Sequence, residues 1–176
     1  MKKKALFIDR DGTLIKCRVI NGIPLPINTI DLFKFNYGAL KYLKKLSLQY
    51  EIILISNQPD YKKKGFFIIQ NAINKEIKKK LPNITLEYFY GPKSDKFFYK
   101  PGPGMILKYV SLLDLDLSKS FMIGDRWRDI GAAHNSGIKN SCLIFNKNYK
   151  ENSYVFKPRY EFKSLIQALR FIDDIK

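Results

Sequence analysis

The sequence predicts an α/β fold in which a central, mostly parallel sheet lies between two layers of helices. Strand-like and helix-like segments alternate along the 176 residues, an order typical of parallel sheets whose crossover connections are helices. The strand-like segments are short and apolar, as expected for strands buried on both faces. No repeat, low-complexity linker or shift in composition divides the chain, so we expect one domain over residues 1–176.

Five strands are predicted where short apolar runs are bounded by polar or turn-forming residues. The first is the run KKALFIDRD near the N-terminus, and the others, in chain order, are EIILISN, NITLEYFYG, SFMIGD and KNSCLIFN. Ligands of open α/β sheets bind beyond the carboxyl ends of the strands. The residues that follow these runs are therefore the first candidates for a functional site.

Five helices are predicted between and after these strands. The segment NYGALKYLKKLSLQY carries Leu40, Leu43 and Leu46 at helical spacing, and FFIIQNAINKEIKKKL repeats the pattern with Ile73 and Ile77. The other three are GPGMILKYVSLLDL, RDIGAAHNSG and the C-terminal KSLIQALRFIDDI. These helices supply the two outer layers of the predicted fold.

Composition excludes several classes of protein. No apolar run reaches the roughly 20 residues that span a bilayer, and the apolar segment after the basic N-terminus is too short for a secretory signal. Two cysteines and one histidine cannot build a disulfide framework or a Cys/His zinc cluster. We therefore expect a reduced, cytoplasmic protein without a membrane partner, of an oligomeric state that the sequence does not indicate.

The formal net charge of +16 has two interpretations. Lysine clusters at 2–4, 62–64 and 78–80 can attract nucleic acid or anionic substrates. However, lysine far outnumbers arginine, and there is no arginine-rich arm or base-reading motif. We favour a solvated lysine surface and keep nucleic acid as the alternative partner.

Unusual polar residues gather at the predicted carboxyl edge of the sheet. The first strand ends in DRDGT, the second in SNQ and the fourth in GD, and KPGPG precedes the third helix. Taken singly, each has a structural interpretation, because Asp-Gly forms ordinary turns and Ser or Asp caps helices. Four such segments at one edge favour a functional site instead.

The residue types at this edge suit the chemistry of phosphate esters. Asp9 and Asp125 can offer carboxylate oxygens to Mg²⁺, with a main-chain carbonyl near Asp11 as a third ligand. One carboxylate can also attack phosphorus, while Asp11 protonates the leaving oxygen and later deprotonates water. Lys100 would offset the charge that spreads across the transition state.

Three further residues complete this hypothesis. Ser56 and the backbone near Asn57 would hold the phosphate oxygens, since both follow a buried strand at the same edge. Asp129, four residues after Asp125, would orient Lys100 or a metal-bound water from behind.

The segments FIDRDGTL, ILISNQ, YKPGPGM and FMIGDRWRDI resemble, in this order, the four motifs of the haloacid dehalogenase (HAD) superfamily of aspartyl-nucleophile phosphatases. The resemblance extends from Ala5 to Phe145 and is greatest for the histidinol-phosphatase-related branch, which includes D-glycero-D-manno-heptose 1,7-bisphosphate 7-phosphatases. It implies a Rossmann-like three-layer sandwich of the capless type. The insertions at residues 16–31 and 88–100 are indeed too short for a cap domain.

The resemblance also implies roles for particular residues. Asp9 would be the nucleophile and Asp11 the acid/base, and Asp9, Asp125 and the Asp11 carbonyl would bind Mg²⁺. Phosphate and substrate contacts would come from Ser56, Asn57, Lys100 and Arg126. Thr13 and Asp129 would support the metal and phosphate groups from behind.

Two departures from the branch bear on cofactor and substrate. Many heptose bisphosphatases carry a Cys/His zinc loop before the lysine motif, but the loop YGPKSDKFFYK has neither residue type, so we expect no structural zinc. Tyr99 also precedes Lys100 where those enzymes often have arginine. The change removes a bidentate anion clamp and weakens the case for the usual bisphosphate.

The favoured function is Mg²⁺-dependent hydrolysis of a small phosphorylated metabolite through an aspartyl-phosphate. The resemblance implies a sugar phosphate such as D-glycero-D-manno-heptose 1,7-bisphosphate, and hence a role in carbohydrate metabolism. The alternatives are a polynucleotide 3′-phosphatase and a histidinol-phosphate phosphatase. A non-catalytic phosphate-binding module is a further alternative, although it would be expected to lack one of Asp9, Asp11, Lys100 and Asp125, and all are present.

Overall fold

Residues 2–150 and 155–175 are described by a computed structural model. It contains the strands β1 (Ala5–Ile8), β2 (Arg18–Ile20), β3 (Ile23–Leu25), β4 (Glu51–Asn57), β5 (Thr85–Phe89), β6 (Phe121–Gly124), β7 (Asn140–Ile144) and β8 (Tyr160–Phe162). Six of them form one sheet in the order β5-β4-β1-β6-β7-β8, and every pair in it is parallel. The predicted parallel α/β sheet is confirmed.

The helices follow the strands in the predicted alternation. They are α1 (Ala39–Leu46), α2 (Phe66–Lys80), α3 (Gly104–Leu113), α4 (Trp127–Ser136) and α5 (Leu165–Asp174), with a short 3-10 helix at Ile30–Leu32. Gly137 ends α4 with a φ of 90°, a left-handed conformation that glycine adopts without steric cost. None of the described helices combines the length and the apolar character that a membrane span requires.

Helices cover both faces of the sheet. Alternate residues of β1 point to opposite sides, so Leu6 and Ile8 join a core with α1, α2 and α5. Ala5 and Phe7 join a second core with α3 and α4. Because β1 is buried on both faces and lies in the middle of the sheet, the residues that follow it are held on a rigid base.

Two features were missed from the sequence. β8 extends the sheet by one short parallel edge strand beside β7. Within the insertion at 16–31, β2 and β3 form an antiparallel hairpin. Its turn is Asn21-Gly22, and both residues have positive φ, 51° and 80°. Asn-Gly between apolar residues is a strong hairpin signal, but the neighbouring prolines favoured an irregular interpretation.

Candidate active site

The register of the sheet brings the ends of three strands together. Ile8 of β1 pairs with Leu54 of β4 on one side and with Ile123 of β6 on the other. The Asp9 N–H then donates to the Ile123 carbonyl at 2.9 Å, which continues the pairing beyond the strand. Asp9 is therefore placed between the segments that carry Ser56 and Asp125.

Lys100 is the cation at the centre of the site. Its Nζ lies 2.5 Å from Asp9 Oδ1 and 2.7 Å from Asp129 Oδ1, and it donates to the Ile55 carbonyl at 3.0 Å. The side chain is 1% exposed, so these contacts are shielded from water. The sequence predicted this lysine and its relation to Asp129, and the geometry brings Lys100 into contact with both Asp9 and Asp129.

Burial and mutual repulsion raise the pKa values of Asp9 and Asp125. Burial raises the pKa of Asp9 to about 7, although Lys100 opposes the shift. Burial also raises the pKa of Asp125 well above its usual range, and the nearby charges of Asp9 and Asp129 add to this effect. Burial disfavours the Lys100 ammonium, yet Asp129 and Asp9 together raise its pKa. Without a further cation, the cluster therefore holds more negative charge than Lys100 can balance.

Asp125 is held by two hydroxyl groups. Thr13 Oγ1 donates to Asp125 Oδ1 at 3.3 Å. Tyr149 donates its hydroxyl to Asp125 Oδ2 at 2.7 Å and also lies 3.2 Å from Cys17 Sγ. Tyr149 was not predicted, because it lies in the loop after β7 and belongs to no motif.

Gly12 allows the first loop to approach this carboxylate. It has a φ of 95°, and a Cβ built on it would lie 2.0 Å from Asp125 Oδ2. A larger residue at position 12 would therefore displace the carboxylate or the Tyr149 hydroxyl beside it.

Asp11 is oriented by Arg10 and Gln58. The Arg10 guanidinium donates to Asp11 Oδ2 through Nε at 3.0 Å and Nη2 at 2.7 Å. Gln58 Nε2 lies 3.3 Å from the same oxygen and 3.0 Å from Ser56 Oγ. Asp11 Oδ1 is buried without a hydrogen-bond partner among the described residues. Thus one oxygen of Asp11 is anchored and the other is available to a ligand.

Arg10 itself is almost fully buried, at 1% exposure. Its Nη1 donates to Gln70 Oε1 at 2.6 Å, and the guanidinium lies 5.3 Å from the Tyr88 ring centroid. A buried guanidinium needs such partners, because an unpaired charge in the interior is costly. Neither Arg10 nor Gln58 was predicted to take part in the site. The sequence feature that could have indicated Arg10 is its position between two acids at the end of a buried strand.

Ser56 and Asn57 end β4 beside the acids. Ser56 is buried, with its Oγ accepting from Gln58. The Asn57 side chain binds the backbone of Lys100 twice, accepting from its N–H at 2.9 Å and donating to its carbonyl at 3.1 Å. The structure therefore shows Asn57 as the residue that fixes the lysine loop.

The lysine loop is held by its own side chains. Asp95 Oδ1 accepts from the Phe97 and Phe98 N–H groups at 3.0 and 2.9 Å, and the Phe98 ring stacks on Phe89 with centroids 5.9 Å apart. An Asx turn and an aromatic contact thus order the segment that leads into Lys100.

The donor set fits a hard divalent cation. Asp9, Asp125 and Asp129 each offer a carboxylate oxygen, and these oxygens lie within 4.8 Å of one another. Both oxygens of Asp129 already have partners, since Oδ2 accepts from the Arg126 N–H at 3.0 Å while Oδ1 contacts Lys100. In the first loop the carbonyls of Asp9 and Arg10 accept backbone bonds, whereas no described backbone N–H donates to the Asp11 carbonyl. Oxygen donors of this kind suit Mg²⁺.

An open cavity of about 260 Å³ leads to these residues. The β2–β3 hairpin forms one wall through Ile23, Pro24 and Leu25, and Asn57 and Lys100 lie on the lysine-loop side. Basic side chains of three further residues also line it, namely Lys93, Arg126 and Arg128. The cavity is of a size for a small molecule, with acids at its base and cations around it.

Known proteins are similar to this chain over almost its whole length. A Campylobacter jejuni relative named D-glycero-alpha-D-manno-heptose-1,7-bisphosphate 7-phosphatase is 31% identical over 180 residues, which cover 99% of this chain and 98% of the relative. A Helicobacter pylori relative named D-glycero-beta-D-manno-heptose-1,7-bisphosphate 7-phosphatase is 30% identical over 176 residues, 95% of this chain and 98% of the relative.

The chain belongs to the HAD phosphatase family. The two relatives are 30% and 31% identical over almost the whole chain, and the HAD-hydrolase-like family model also matches residues 98–168. As a HAD phosphatase the chain is a phosphoric monoester hydrolase, as the motifs predicted.

The fold of this HAD phosphatase has a close structural counterpart. A D,D-heptose 1,7-bisphosphate phosphatase from B. bronchiseptica, solved with magnesium and phosphate, superposes with a TM-score of 0.80 at 20% identity. The match covers 98% of this chain and 99% of that one. It shows that the two proteins share the three-layer fold.

Proposed function

We propose that this HAD phosphatase removes the 7-phosphate of D-glycero-D-manno-heptose 1,7-bisphosphate in a Mg²⁺-dependent reaction, with Asp9 as nucleophile. The observation that carries the chemistry is the buried contact of Lys100 with Asp9 and Asp129, beside a third acid, Asp125. The choice of substrate rests on the names of the relatives.

Asp9 and Asp125, with the Asp11 carbonyl, are the proposed ligands of Mg²⁺. When bound, the ion would neutralise the phosphoryl group and the surplus negative charge of the acids. Thr13 and Tyr149 hold both oxygens of Asp125 in place. We expect no structural zinc, because the lysine loop has no cysteine or histidine and is ordered by Asp95.

In the first half-reaction an Asp9 oxygen attacks the phosphorus of the bound ester. The bond between phosphorus and the sugar oxygen breaks, and Asp11 gives that oxygen its proton, so the sugar leaves as a neutral alcohol. Lys100 and Ser56 bind the phosphoryl oxygens, whose charge changes in the transition state. The phosphoryl group then rests on Asp9 as an aspartyl-phosphate.

In the second half-reaction a water molecule attacks the same phosphorus. Asp11, now ionised, takes a proton from the water, and the Asp9–phosphorus bond breaks to release inorganic phosphate. Because Arg10 and Gln58 hold Asp11 Oδ2, the carboxylate keeps one orientation through both steps while Oδ1 exchanges the proton. Both residues thus position the acid/base.

The shape of the cavity supports a small substrate. Its volume of about 260 Å³ accommodates a single sugar unit, and the β2–β3 hairpin narrows one side with apolar residues. The relatives include enzymes named for both the alpha and the beta anomer. Both anomers therefore belong in the test.

The experiment is a screen of purified protein with Mg²⁺ and several phosphate esters. These are both anomers of the heptose 1,7-bisphosphate, histidinol phosphate and a 3′-phosphorylated oligonucleotide. We expect the highest kcat/KM for one of the heptose bisphosphates, with a KM that depends weakly on salt. A preference for the oligonucleotide, with a KM that rises steeply with salt, would instead assign the +16 charge to nucleic-acid binding.

A further inference from the structure

The catalytic groups account for one phosphate, but the cavity carries additional positive charge. Arg128 lies in the first turn of α4 and lines the same cavity as Lys100 and Ser56. Lys93 is exposed in the lysine loop on this cavity. These cations are separate from Lys100, whose ammonium is already engaged by Asp9 and Asp129.

Arg128 is ordered without being neutralised. Its Nη1 donates to the Tyr99 hydroxyl at 3.1 Å, so the side chain is held against the lysine loop by a neutral partner. Its Nε is buried and has no hydrogen-bond partner in the part of the chain that the structure describes. Within that part, Arg128 also forms no ion pair with a carboxylate. A buried donor of this kind is costly unless a ligand pairs with it.

Arg10 differs from Arg128 in its partners, because Asp11 and Gln70 occupy the donors of Arg10. Arg128 keeps a planar set of N–H donors for an incoming group, and a guanidinium binds phosphate in a bidentate manner.

On the basis of the function proposed above, we propose that Arg128, held by Tyr99, binds the phosphate of the substrate that is not cleaved. Tyr99 lines the same cavity, and its hydroxyl accepts from Arg128. The guanidinium is thus supplied from α4, and Tyr99 of the lysine loop serves as its support. Arg128 would then determine the preference for a bisphosphate over the corresponding monophosphate.

The test compares heptose 1,7-bisphosphate with heptose 7-phosphate, which differ only in the remote phosphate. Arg128→Ala should lower kcat/KM for the bisphosphate roughly 10- to 100-fold, mainly through KM, because hydrogen bonds to a charged group are lost. For the monophosphate, kcat/KM should change less than about threefold by the same reasoning. Arg128→Lys, which keeps the charge, should recover part of the loss.

Two further variants separate recognition from folding. Tyr99→Phe removes only the hydroxyl that holds Arg128 and should give a smaller loss, again confined to the bisphosphate. Arg159→Ala is the matched control, since Arg159 is exposed at the far edge of the sheet beside Asn140. It should leave both substrates unaffected.

Equal losses on both substrates, or no loss on the bisphosphate, would overturn the role of Arg128. If wild-type protein hydrolyses neither heptose phosphate, the proposed function is wrong. The role of Arg128 is then decided by the ratio of kcat/KM for fructose 1,6-bisphosphate to kcat/KM for fructose 6-phosphate. If Arg128→Ala leaves this ratio unchanged, the role is refuted, and if the ratio falls roughly 10-fold or more, the role is supported.

Discussion

Replacing Lys100 by methionine tests how the buried charges are balanced. Methionine has a similar length, so the main change is the loss of the ammonium that contacts Asp9 and Asp129. Removing one partner of a buried ion pair costs about 3–5 kcal/mol, because the remaining charge stays buried and unpaired. Here two carboxylates lose their partner, so we expect the upper part of this range.

For a chain of 176 residues each kcal/mol corresponds to about 2–4 °C in Tm. In EDTA, Lys100→Met should therefore unfold about 10–20 °C below the wild type when followed by circular dichroism. The matched control is Lys108→Met, which removes a lysine that pairs with Glu87 at 2.8 Å on the surface. Such pairs contribute about 0–1 kcal/mol, so the control should shift the Tm by only a few degrees.

A double variant separates charge from packing. In Lys100→Met/Asp129→Asn, one charge of each sign is removed, so part of the lost stability should return relative to the single Lys100 variant. If Lys100→Met melts within the range of the Lys108→Met control, the ion pairs of Lys100 do not balance the charge of the buried acids.

Three further predictions concern the groups around the site. Tyr149→Phe should weaken Mg²⁺ binding about 10-fold in titration calorimetry, because the hydroxyl that fixes Asp125 Oδ2 is lost; an unchanged Kd would contradict this role. Arg10→Lys should lower kcat about 10-fold with little change in KM, since Asp11 Oδ2 loses the pair of guanidinium N–H groups that hold it; a change in KM alone would contradict it. Asp125→Asn should abolish the rise in Tm that Mg²⁺ gives the wild type, and a retained rise would place the metal elsewhere.

Most of the sheet could be predicted because its strands are short apolar runs bounded by polar or turn-forming residues. β4 is found over Glu51–Asn57, the predicted apolar run, since it is flanked by a helix end and a polar segment. β8 could not be predicted, because Tyr160–Phe162 is three residues long and is stabilised by pairing with β7 at the edge. Short edge strands depend on tertiary contacts more than on their own composition.

The predicted site residues came from motifs, and their contacts came from the fold. Lys100, Asp9 and Asp129 were predicted as one group, and the structure brings them within ion-pair distance. The partners that orient them were harder to find. Tyr149 follows Asp125 by 24 residues and has no flanking signal, so only the path of the loop after β7 reveals it.

A residue inside the first motif was also missed. Arg10 was given no role from the sequence, yet it is buried and binds Asp11. Arginine is rarely buried unless it is paired. The burial of Arg10 therefore depends on partners that only the fold brings to it, such as Gln70 and Tyr88.

In the proposed reaction Asp9 carries the phosphoryl group during turnover. The decisive measurement is to acid-quench the enzyme during hydrolysis of its substrate and to locate the phosphoryl group by peptide mass spectrometry. We expect the phosphoryl group on Asp9, a higher steady-state level of phosphorylated enzyme in Asp11→Asn, and neither phosphorylation nor turnover in a folded Asp9→Asn variant. Full Mg²⁺-dependent turnover by Asp9→Asn, or a phosphoryl group on another residue, would show that Asp9 is not the nucleophile.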